Sequence, residues 1–147
     1  MNASSSVEID APDATVWDVF ADVERWPEWT ASVTRVVALD GPGIEVGKRF
    51  RIKQPRLPDV VWEVTEVEPG VSWTWRQRSP GATAVASHTV VPEDGGRTLA
   101  RQRVEQRGPV GAAVGLLMTH LTRRYLDLEA EGLKARSEQR RQDASPA

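Results

Sequence analysis

The sequence has no cysteine among its 147 residues, which excludes disulfide bonds and thiolate metal sites. Its two histidines, His88 and His120, show no HxH or HxxE spacing, so we expect no metal centre. No apolar run approaches the ~20 residues that cross a bilayer. The first fifteen residues also lack the basic start and apolar run of a secretory signal. We therefore expect a cytoplasmic protein without a membrane span.

Strong charge of one sign is also missing. A net charge of −2 gives no general reason to bind nucleic acid. Glu63, Glu66 and Glu105 fall among the arginines of the predicted outward strand faces, which favours an ion-paired, solvated surface over a nucleic-acid patch. The arginines are Arg49, Arg51, Arg101, Arg103 and Arg107. Nucleophile elbows, phosphate-binding loops and dinucleotide fingerprints are absent. The sequence therefore predicts neither a cofactor nor a nucleic-acid partner.

One long helix is predicted near the C-terminus, over Pro109–Lys134. Its apolar residues recur at intervals of three and four, namely Val110, Val114, Leu117, Leu121, Tyr125 and Leu128. Pro109 suits a first helical turn, where its missing N–H costs nothing. Val110–Met118 is apolar or small nearly all round, so we expect this part to be buried with Leu117 and Leu121 facing the sheet. The charged second part should run along the surface.

The rest of the chain reads as one strand, two short helices and six more strands. Ser5–Ile9 is the first strand. Asp10 and Asp13 resemble a capping box for a helix that ends near Ala21, and ERWPEW indicates a short second helix or turn. Period-two alternation then predicts antiparallel strands at Val33–Leu39, Lys48–Gln54, Val60–Val67, Val71–Gln77, Ala84–Val91 and Arg97–Arg107. We predict an α+β fold as a single domain over residues 1–136, with a disordered polar tail over residues 137–147.

Tryptophan is the unusual component, with six residues against two phenylalanines and one tyrosine. Five lie on predicted apolar strand faces or in the turn before the sheet: Trp26, Trp29, Trp62, Trp73 and Trp75. Such rings could simply be core, or they could wall a cavity too wide for aliphatic side chains to fill. Small residues opposite them favour the cavity, namely Gly111, Ala112, Ala113 and Gly115 on the helix and Ala84 and Ala86 on the sixth strand.

Polar residues on the predicted inward faces are sparse. His88 shares its strand face with alanines and a valine, and a lone inward histidine is more often a hydrogen-bonded core residue than a catalyst. Gln54, Gln77 and Gln102 are the other candidates. The acidic residues fall on predicted outer faces, with Glu66 at a strand end as a possible exception. Without an acidic partner, we expect a neutral His88 imidazole that anchors a ligand.

Several segments together resemble the SRPBCC superfamily, of the START-like, polyketide cyclase/dehydrase type. They are VEIDAPDATVWDVFADVERWPEW, VGKRFRI, WEVTEVEPGVSWTW and SHTVVPEDGGRTLARQRVEQRG, and the similarity extends over about Ser5 to Lys134. The resemblance implies a helix-grip fold, in which a curved sheet wraps a C-terminal helix and encloses an apolar cavity. Members bind lipids, sterols, hormones or quinones, or cyclise and dehydrate polyketides through polar residues in the cavity.

Our first hypothesis is a protein that binds a small, mostly apolar molecule, lipid-, polyketide- or quinone-like, between the sheet and the C-terminal helix. The alternative is a polyketide-type cyclase or dehydratase with His88 as acid or base. An adaptor that uses the C-terminal helix has no dedicated feature. Monomer and homodimer both remain open. The residues expected to contact the ligand are Trp26, Trp29, Phe50, Ile52, Trp62, Trp73, Trp75, His88, Val114, Leu117, Met118 and Leu121.

Overall fold

The computed structural model describes residues 2–144 and contains the predicted order of strands and helices. The strands are β1 (Asn2–Ile9), β2 (Arg35–Ala38), β3 (Arg49–Lys53), β4 (Val60–Glu68), β5 (Ser72–Ser79), β6 (Ala82–Glu93) and β7 (Arg97–Arg107). The helices are α1 (Asp13–Ala21), α2 (Trp26–Trp29) and α3 (Pro109–Ala144), with 3-10 turns at Val23–Arg25 and Asp94–Gly96. Within residues 2–144, no helix is long and apolar enough to cross a bilayer.

The seven strands form one antiparallel sheet in the order β1-β7-β6-β5-β4-β3-β2. The chain therefore advances one strand at a time from β2 to β7, and β1 closes the far edge beside β7. The curved sheet and the long C-terminal helix confirm the predicted α+β, helix-grip architecture. The alternation of apolar and polar residues predicted the strands well, because one face of the sheet is buried. A shift of the strand register by one residue would expose the apolar side chains of that face.

The core lies on the concave face of the sheet, beneath α1, α2 and part of α3. Inward positions of neighbouring strands carry its bulk, including Phe50, Ile52, Val64 and Trp73, while α1 contributes Phe20, which is fully buried. Burial of each large apolar side chain contributes roughly 1.5–3 kcal/mol. This packed part of the sheet supports the wall of the site described below.

The start of α1 differs from the predicted capping box. Pro12 is the N-cap residue, and no side chain caps the helix. The backbone N–H of Asp10 donates instead to the Glu138 carboxylate of α3 at 2.8 Å, and the Asp10 carboxylate pairs with Arg141 at 3.4 Å. The link between β1 and α1 is therefore fixed by the far end of α3 rather than by a local cap.

The helix α3 extends to Ala144, ten residues beyond the predicted end at Lys134. The prediction of a disordered tail from Ser137 is wrong for residues 137–144, and residues 145–147 lie outside the described part of the chain. Ser137 is fully buried, and Arg136 pairs with Glu28 at 2.5 Å. The tail lacks apolar anchors, but its ion pairs and one buried face hold it against β1, α1 and α2.

The burial of α3 is the reverse of the prediction. Leu116 and Leu117 are 76% and 84% exposed, whereas Leu133 in the charged part is only 1% exposed. The backbone at Gly132 lies so close to α2 that a Cβ there would overlap the carbonyl oxygen of Trp29. The prediction that Leu117 faces the sheet is therefore wrong. The tight contact with the rest of the protein is made by the C-terminal part of the helix.

Candidate functional site: a cavity under α3

A cavity of about 420 Å³ lies between the concave face of the sheet and the first half of α3. The sheet supplies alternate, inward-pointing residues of β3 to β7, and α3 supplies one face of its first five turns. The lining residues are Trp26, Val33, Ile52, Gln54, Leu57, Pro58, Val60, Trp62, Trp75, Gln77, Ser79, Pro80, Ala82, Ala84, Ala86, His88, Gln102, Val104, Gln106, Val110, Val114, Met118, Leu121, Thr122, Tyr125, Leu126 and Glu129.

Three tryptophans form an aromatic wall of this cavity, and we call Trp26, Trp62 and Trp75 the tryptophan wall. The ring centroids of Trp62 and Trp75 are 5.6 Å apart, and those of Trp26 and Trp75 are 5.8 Å apart. The indole N–H of Trp26 donates to the carbonyl of Phe20 at 2.8 Å, which fixes the ring that α2 contributes. Beside the wall, the inward positions Ala82, Ala84 and Ala86 of β6 carry only methyl groups, which leaves space within the cavity.

The structure separates the expected contact residues into two groups. Those that line the cavity are Trp26, Ile52, Trp62, Trp75, His88, Val114, Met118 and Leu121. Trp73 and Phe50 are buried in the core, where Trp73 packs edge-on against Phe20 at 5.0 Å. Trp29 packs beside Trp26, and the exposed Leu117 points away from the cavity. Strand alternation alone does not distinguish a residue behind the cavity from one at its surface.

The imidazole of His88 is held firmly in the inner wall. It stacks on Trp73 with a centroid distance of 4.1 Å, and its Nδ1 lies 3.4 Å from the Trp73 carbonyl oxygen. Burial lowers the pKa of His88 to about 3, because the charged form would lose its hydration. The ring is therefore neutral at physiological pH. With Nδ1 donating to the carbonyl, Nε2 is an acceptor that a ligand could use.

A buried carboxyl group also lines the cavity, and the sequence analysis missed it. Glu129 on α3 is only 6% exposed. Burial raises its pKa to about 7, and a hydrogen bond with the Ser32 side chain offsets part of this effect. The expectation that acidic residues lie on outer faces is wrong at this position. The signal was available, because Glu129 is four residues after Tyr125 and four before Leu133 on one helical row.

The segment after α2 holds the partner of this carboxyl group. The hydroxyls of Thr30 and Ser32 are 2.9 Å apart, and the Ser32 backbone N–H donates to Thr30 Oγ1 at 3.2 Å. Both residues are buried. This local turn fixes Ser32 so that its side chain can reach Glu129.

The remaining polar lining consists of neutral groups. Gln54, Gln77 and Gln102 line the cavity as their strand parity predicted, and Gln77 donates to Ser79 Oγ at 2.6 Å. No lysine or arginine is among the lining residues. In the described part of the chain, no group of three or more His, Asp or Glu residues could hold a metal ion. The cavity is thus apolar with scattered amides and one acid.

The mouth of the cavity lies beside the first turns of α3. Val110 and Val114 line the cavity while remaining 48% and 45% exposed. The N–H groups of Val110 and Gly111 donate to the Gly81 carbonyl at 3.0 and 3.1 Å, which ties the helix start to the β5–β6 turn. Further along, the Tyr125 hydroxyl donates to the Pro55 carbonyl and links α3 to the β3–β4 connection.

Known structures of similar shape are numerous. The aromatase/cyclase Zhui from Streptomyces sp. R1128 matches with a TM-score of 0.77 and 16% identity, over 95% of this chain and 94% of that one. A hypothetical protein from Helicobacter pylori matches with a TM-score of 0.80 and 18% identity, over 93% and 88%. The di-domain ARO/CYC BexL from the BE-7585A biosynthetic pathway matches at 0.69 and 18%, over 90% and 46%. At these identities, the likenesses show the fold.

Sequence comparison gives a more specific result. No curated protein matches the sequence. The family model described as "Polyketide cyclase / dehydrase and lipid transport" matches residues 1–138, which is nearly the whole chain. The match agrees with the resemblance seen in the sequence segments and with the helix-grip architecture. The chain belongs to the polyketide cyclase/dehydrase and lipid transport family.

Proposed function

We propose that this protein binds a small, mostly apolar molecule, lipid-, polyketide- or quinone-like, in the cavity between the sheet and α3. The observation that carries the proposal is the cavity itself, with its volume of about 420 Å³ and its tryptophan wall. Small-molecule sites occupy roughly 300–1,000 Å³ and combine apolar walls with a few polar groups that set orientation. Membership of a family that includes lipid-transport proteins supports the same function.

The polar groups in the cavity suit recognition of a polar end on such a ligand. His88 offers a neutral acceptor, and Gln102, which is buried, offers both a donor and an acceptor. A ligand that leaves such a group unpaired would lose affinity. Replacement of His88 by Gln should therefore preserve most of the affinity, whereas His88→Leu should cost about 1–3 kcal/mol of binding free energy.

A second candidate function is catalysis of cyclisation or dehydration. The low pKa of His88 argues against this residue as the base, because the neutral ring takes up no proton near pH 7. The observation that favours catalysis is Glu129, since a carboxyl group with a pKa of about 7 can both give and accept a proton. In an enzyme of this kind, Glu129 would replace His88 as acid or base.

Native mass spectrometry of the purified protein tests for a bound molecule, which should dissociate on denaturation. A titration with the neutral fluorescent probe phenylnaphthylamine tests the cavity. We expect saturable binding that weakens in Trp75→Phe and persists in Trp17→Phe, because Trp17 is outside the cavity lining. A linear titration, or equal affinity in both variants, would contradict a cavity that binds apolar molecules.

Recovery of the bound molecule separates the two functions. After incubation with the protein, a carried ligand returns with its mass unchanged, whereas a cyclised and dehydrated one loses the mass of water. If a substrate is converted, Glu129→Gln should abolish turnover while binding survives. Loss of turnover in His88→Gln with normal activity in Glu129→Gln would return the catalytic role to His88.

A further inference from the structure

The charges around the cavity are strongly asymmetric. Among the lining residues, Glu129 is the one group that can carry a negative charge near neutral pH, and no lysine or arginine is present to balance it. Charged residues of the second half of α3 pair outside the cavity, as in Lys134–Glu138 at 2.5 Å. A buried carboxylate is costly unless it is paired. The protein thus supplies an acid within its cavity without supplying a basic partner for it.

The polar groups that contact Glu129 or line the cavity with it carry no positive charge near neutral pH. The segment after α2 provides the Ser32 hydroxyl, with Thr30 behind it. Strand β6 provides His88, which burial keeps neutral. On α3 itself, the Tyr125 hydroxyl is engaged with the Pro55 carbonyl. Ser32 stabilises the ionised form by a hydrogen bond, but it contributes no charge, so the cavity lining leaves the place of a counter-ion to a ligand.

The tryptophan wall also favours a positively charged group on the ligand. The face of an indole ring carries negative electrostatic potential and attracts ammonium groups, and tryptophan is the most effective aromatic residue in this respect. Trp26 lines the cavity in the same region of the chain as Ser32, the hydrogen-bond partner of Glu129. The remaining polar lining consists of amides and hydroxyls, which tolerate a cation. An anionic ligand would meet an acid and find no basic side chain in the lining.

We propose that the cavity selects an amphiphilic cation, an amine carried on an aromatic or alicyclic body, whose ammonium group pairs with the Glu129 carboxylate while the body packs on the tryptophan wall. This inference rests on the proposed function and specifies the ligand class for it. With a pKa of about 7, the carboxyl group ionises at almost no cost near neutral pH, so a cationic ligand can use it as a counter-ion.

The proposal predicts a definite pH dependence. A cation binds the ionised carboxylate, so below pH 7 binding must first remove the proton from Glu129. The affinity for an amine should therefore rise by about tenfold per pH unit between pH 5 and 6 and level off above pH 7. Because His88 stays neutral across this range, it contributes no opposing step. A neutral ligand that accepts a hydrogen bond from protonated Glu129 should instead lose affinity above pH 7.

Isothermal titration calorimetry with naphthylethylamine and naphthylethanol tests the proposal on the intact protein. The two probes share one apolar body and differ in whether the polar end is charged. At pH 7.5 we expect the amine to bind about tenfold or more tightly than the alcohol. Glu129→Gln should remove most of this preference, because glutamine keeps the shape without the charge. Glu131→Gln, at an exposed neighbour on the same helix, is the control for a general loss of one negative charge.

The possible outcomes separate this inference from the function on which it rests. Equal or tighter binding of the alcohol, or a preference for the amine that survives in Glu129→Gln, would overturn the cation site and leave the apolar cavity standing. Failure of both probes to bind would contradict the proposed function as well. If Glu129→Gln does not fold, as judged by circular dichroism, the pH dependence of amine binding to the parent protein decides the question. A flat profile between pH 5 and 7.5 would then refute the proposal.

Discussion

The two halves of α3 show opposite relations between composition and burial. Residues 109–124 are mostly apolar or small, yet they include the most exposed large hydrophobic side chains of the described chain, Leu116 and Leu117. Residues 125–144 are rich in charge, yet they contain Leu133 and Ser137, which are almost completely buried. The apolar half spans the cavity, which ends at Tyr125, Leu126 and Glu129, whereas the rest of the charged half packs on other elements of the protein.

This difference shows that the two halves are apolar or charged for different reasons. The first half has an apolar inner face because Val110, Val114 and Met118 border the cavity. Its small residues are not among the lining residues, so the prediction that they face the tryptophans is wrong; they are Gly111, Ala112, Ala113 and Gly115. The second half needs only one narrow stripe for packing, and its charged residues reach neighbouring elements at the rim of that stripe, as in Arg136–Glu28. The share of apolar residues in a helix segment therefore does not predict which part is packed.

The largest expected difference between the halves is in packing energy. Leu133→Ala removes a side chain that is 1% exposed, and it should lower the free energy of unfolding by about 2–5 kcal/mol. Leu117→Ala, the same substitution in the cavity half, should change it by less than about 0.5 kcal/mol. Equilibrium urea unfolding of both variants measures the contrast. Similar losses in the two variants would show that the first half also packs on the protein.

The pH dependence of stability tests the burial of Glu129, which lies near the junction of the two halves of α3. The pKa of Glu129 is about 7 in the folded protein against an ordinary value of 4.5, so the folded state binds more protons between these values. Because of this group, the free energy of unfolding should increase by about 2 kcal/mol as the pH falls from 7.5 to 5.5. Glu129→Gln should lack this gain.

His88 makes the opposite contribution to the pH dependence of stability. The free energy of unfolding of Glu129→Gln is therefore compared with that of the parent at each pH. The His88 pKa of about 3 is below the ordinary 6.5, so the unfolded state binds more protons and stability falls below pH 6.5. This contribution is present in both proteins and cancels in the difference. Parallel stability curves for the parent and Glu129→Gln would show that the Glu129 carboxyl group is not buried.

A smaller loss of stability is expected from a substitution where the two halves of α3 meet. Tyr125→Phe removes the hydroxyl that donates to the Pro55 carbonyl, and it should cost about 0.5–1.5 kcal/mol. Since this bond links α3 to the β3–β4 connection at the cavity, hydrogen exchange of that connection should increase more than exchange in β1. Equal changes in both places would indicate a general loss of stability instead of a local opening.

The sequence predicts the scaffold much better than the cavity. Strand alternation identifies the inward faces, so Trp62, Trp75 and His88 were placed correctly. Pro109 marked the start of α3 accurately. Leu117 was misplaced because an almost uniformly apolar segment does not show which side of the helix faces the sheet. The C-terminal end of α3 was also misplaced, because the ion pairs that stabilise its last turns involve residues distant in sequence.

The acid in the cavity illustrates a different limit. Glu129 shares a helical row with Tyr125 and Leu133, so its inward direction was readable from spacing. The pKa of Glu129 was not readable, because it depends on burial in the folded protein and on the hydrogen bond with the Ser32 side chain, which is distant in sequence. Likewise, Trp73 and Trp75 have the same parity on β5, and only the tertiary structure shows that one is core and the other lines the cavity.

The central claim, that the cavity under the first half of α3 binds an apolar molecule, is tested most directly by filling it. Ala84 lines the cavity from β6, whereas Ala113 is exposed on α3 outside the lining. We predict that Ala84→Phe weakens phenylnaphthylamine binding at least about tenfold, while Ala113→Phe leaves it unchanged and both variants keep the circular dichroism spectrum of the parent. Undiminished binding by a folded Ala84→Phe variant would contradict the account.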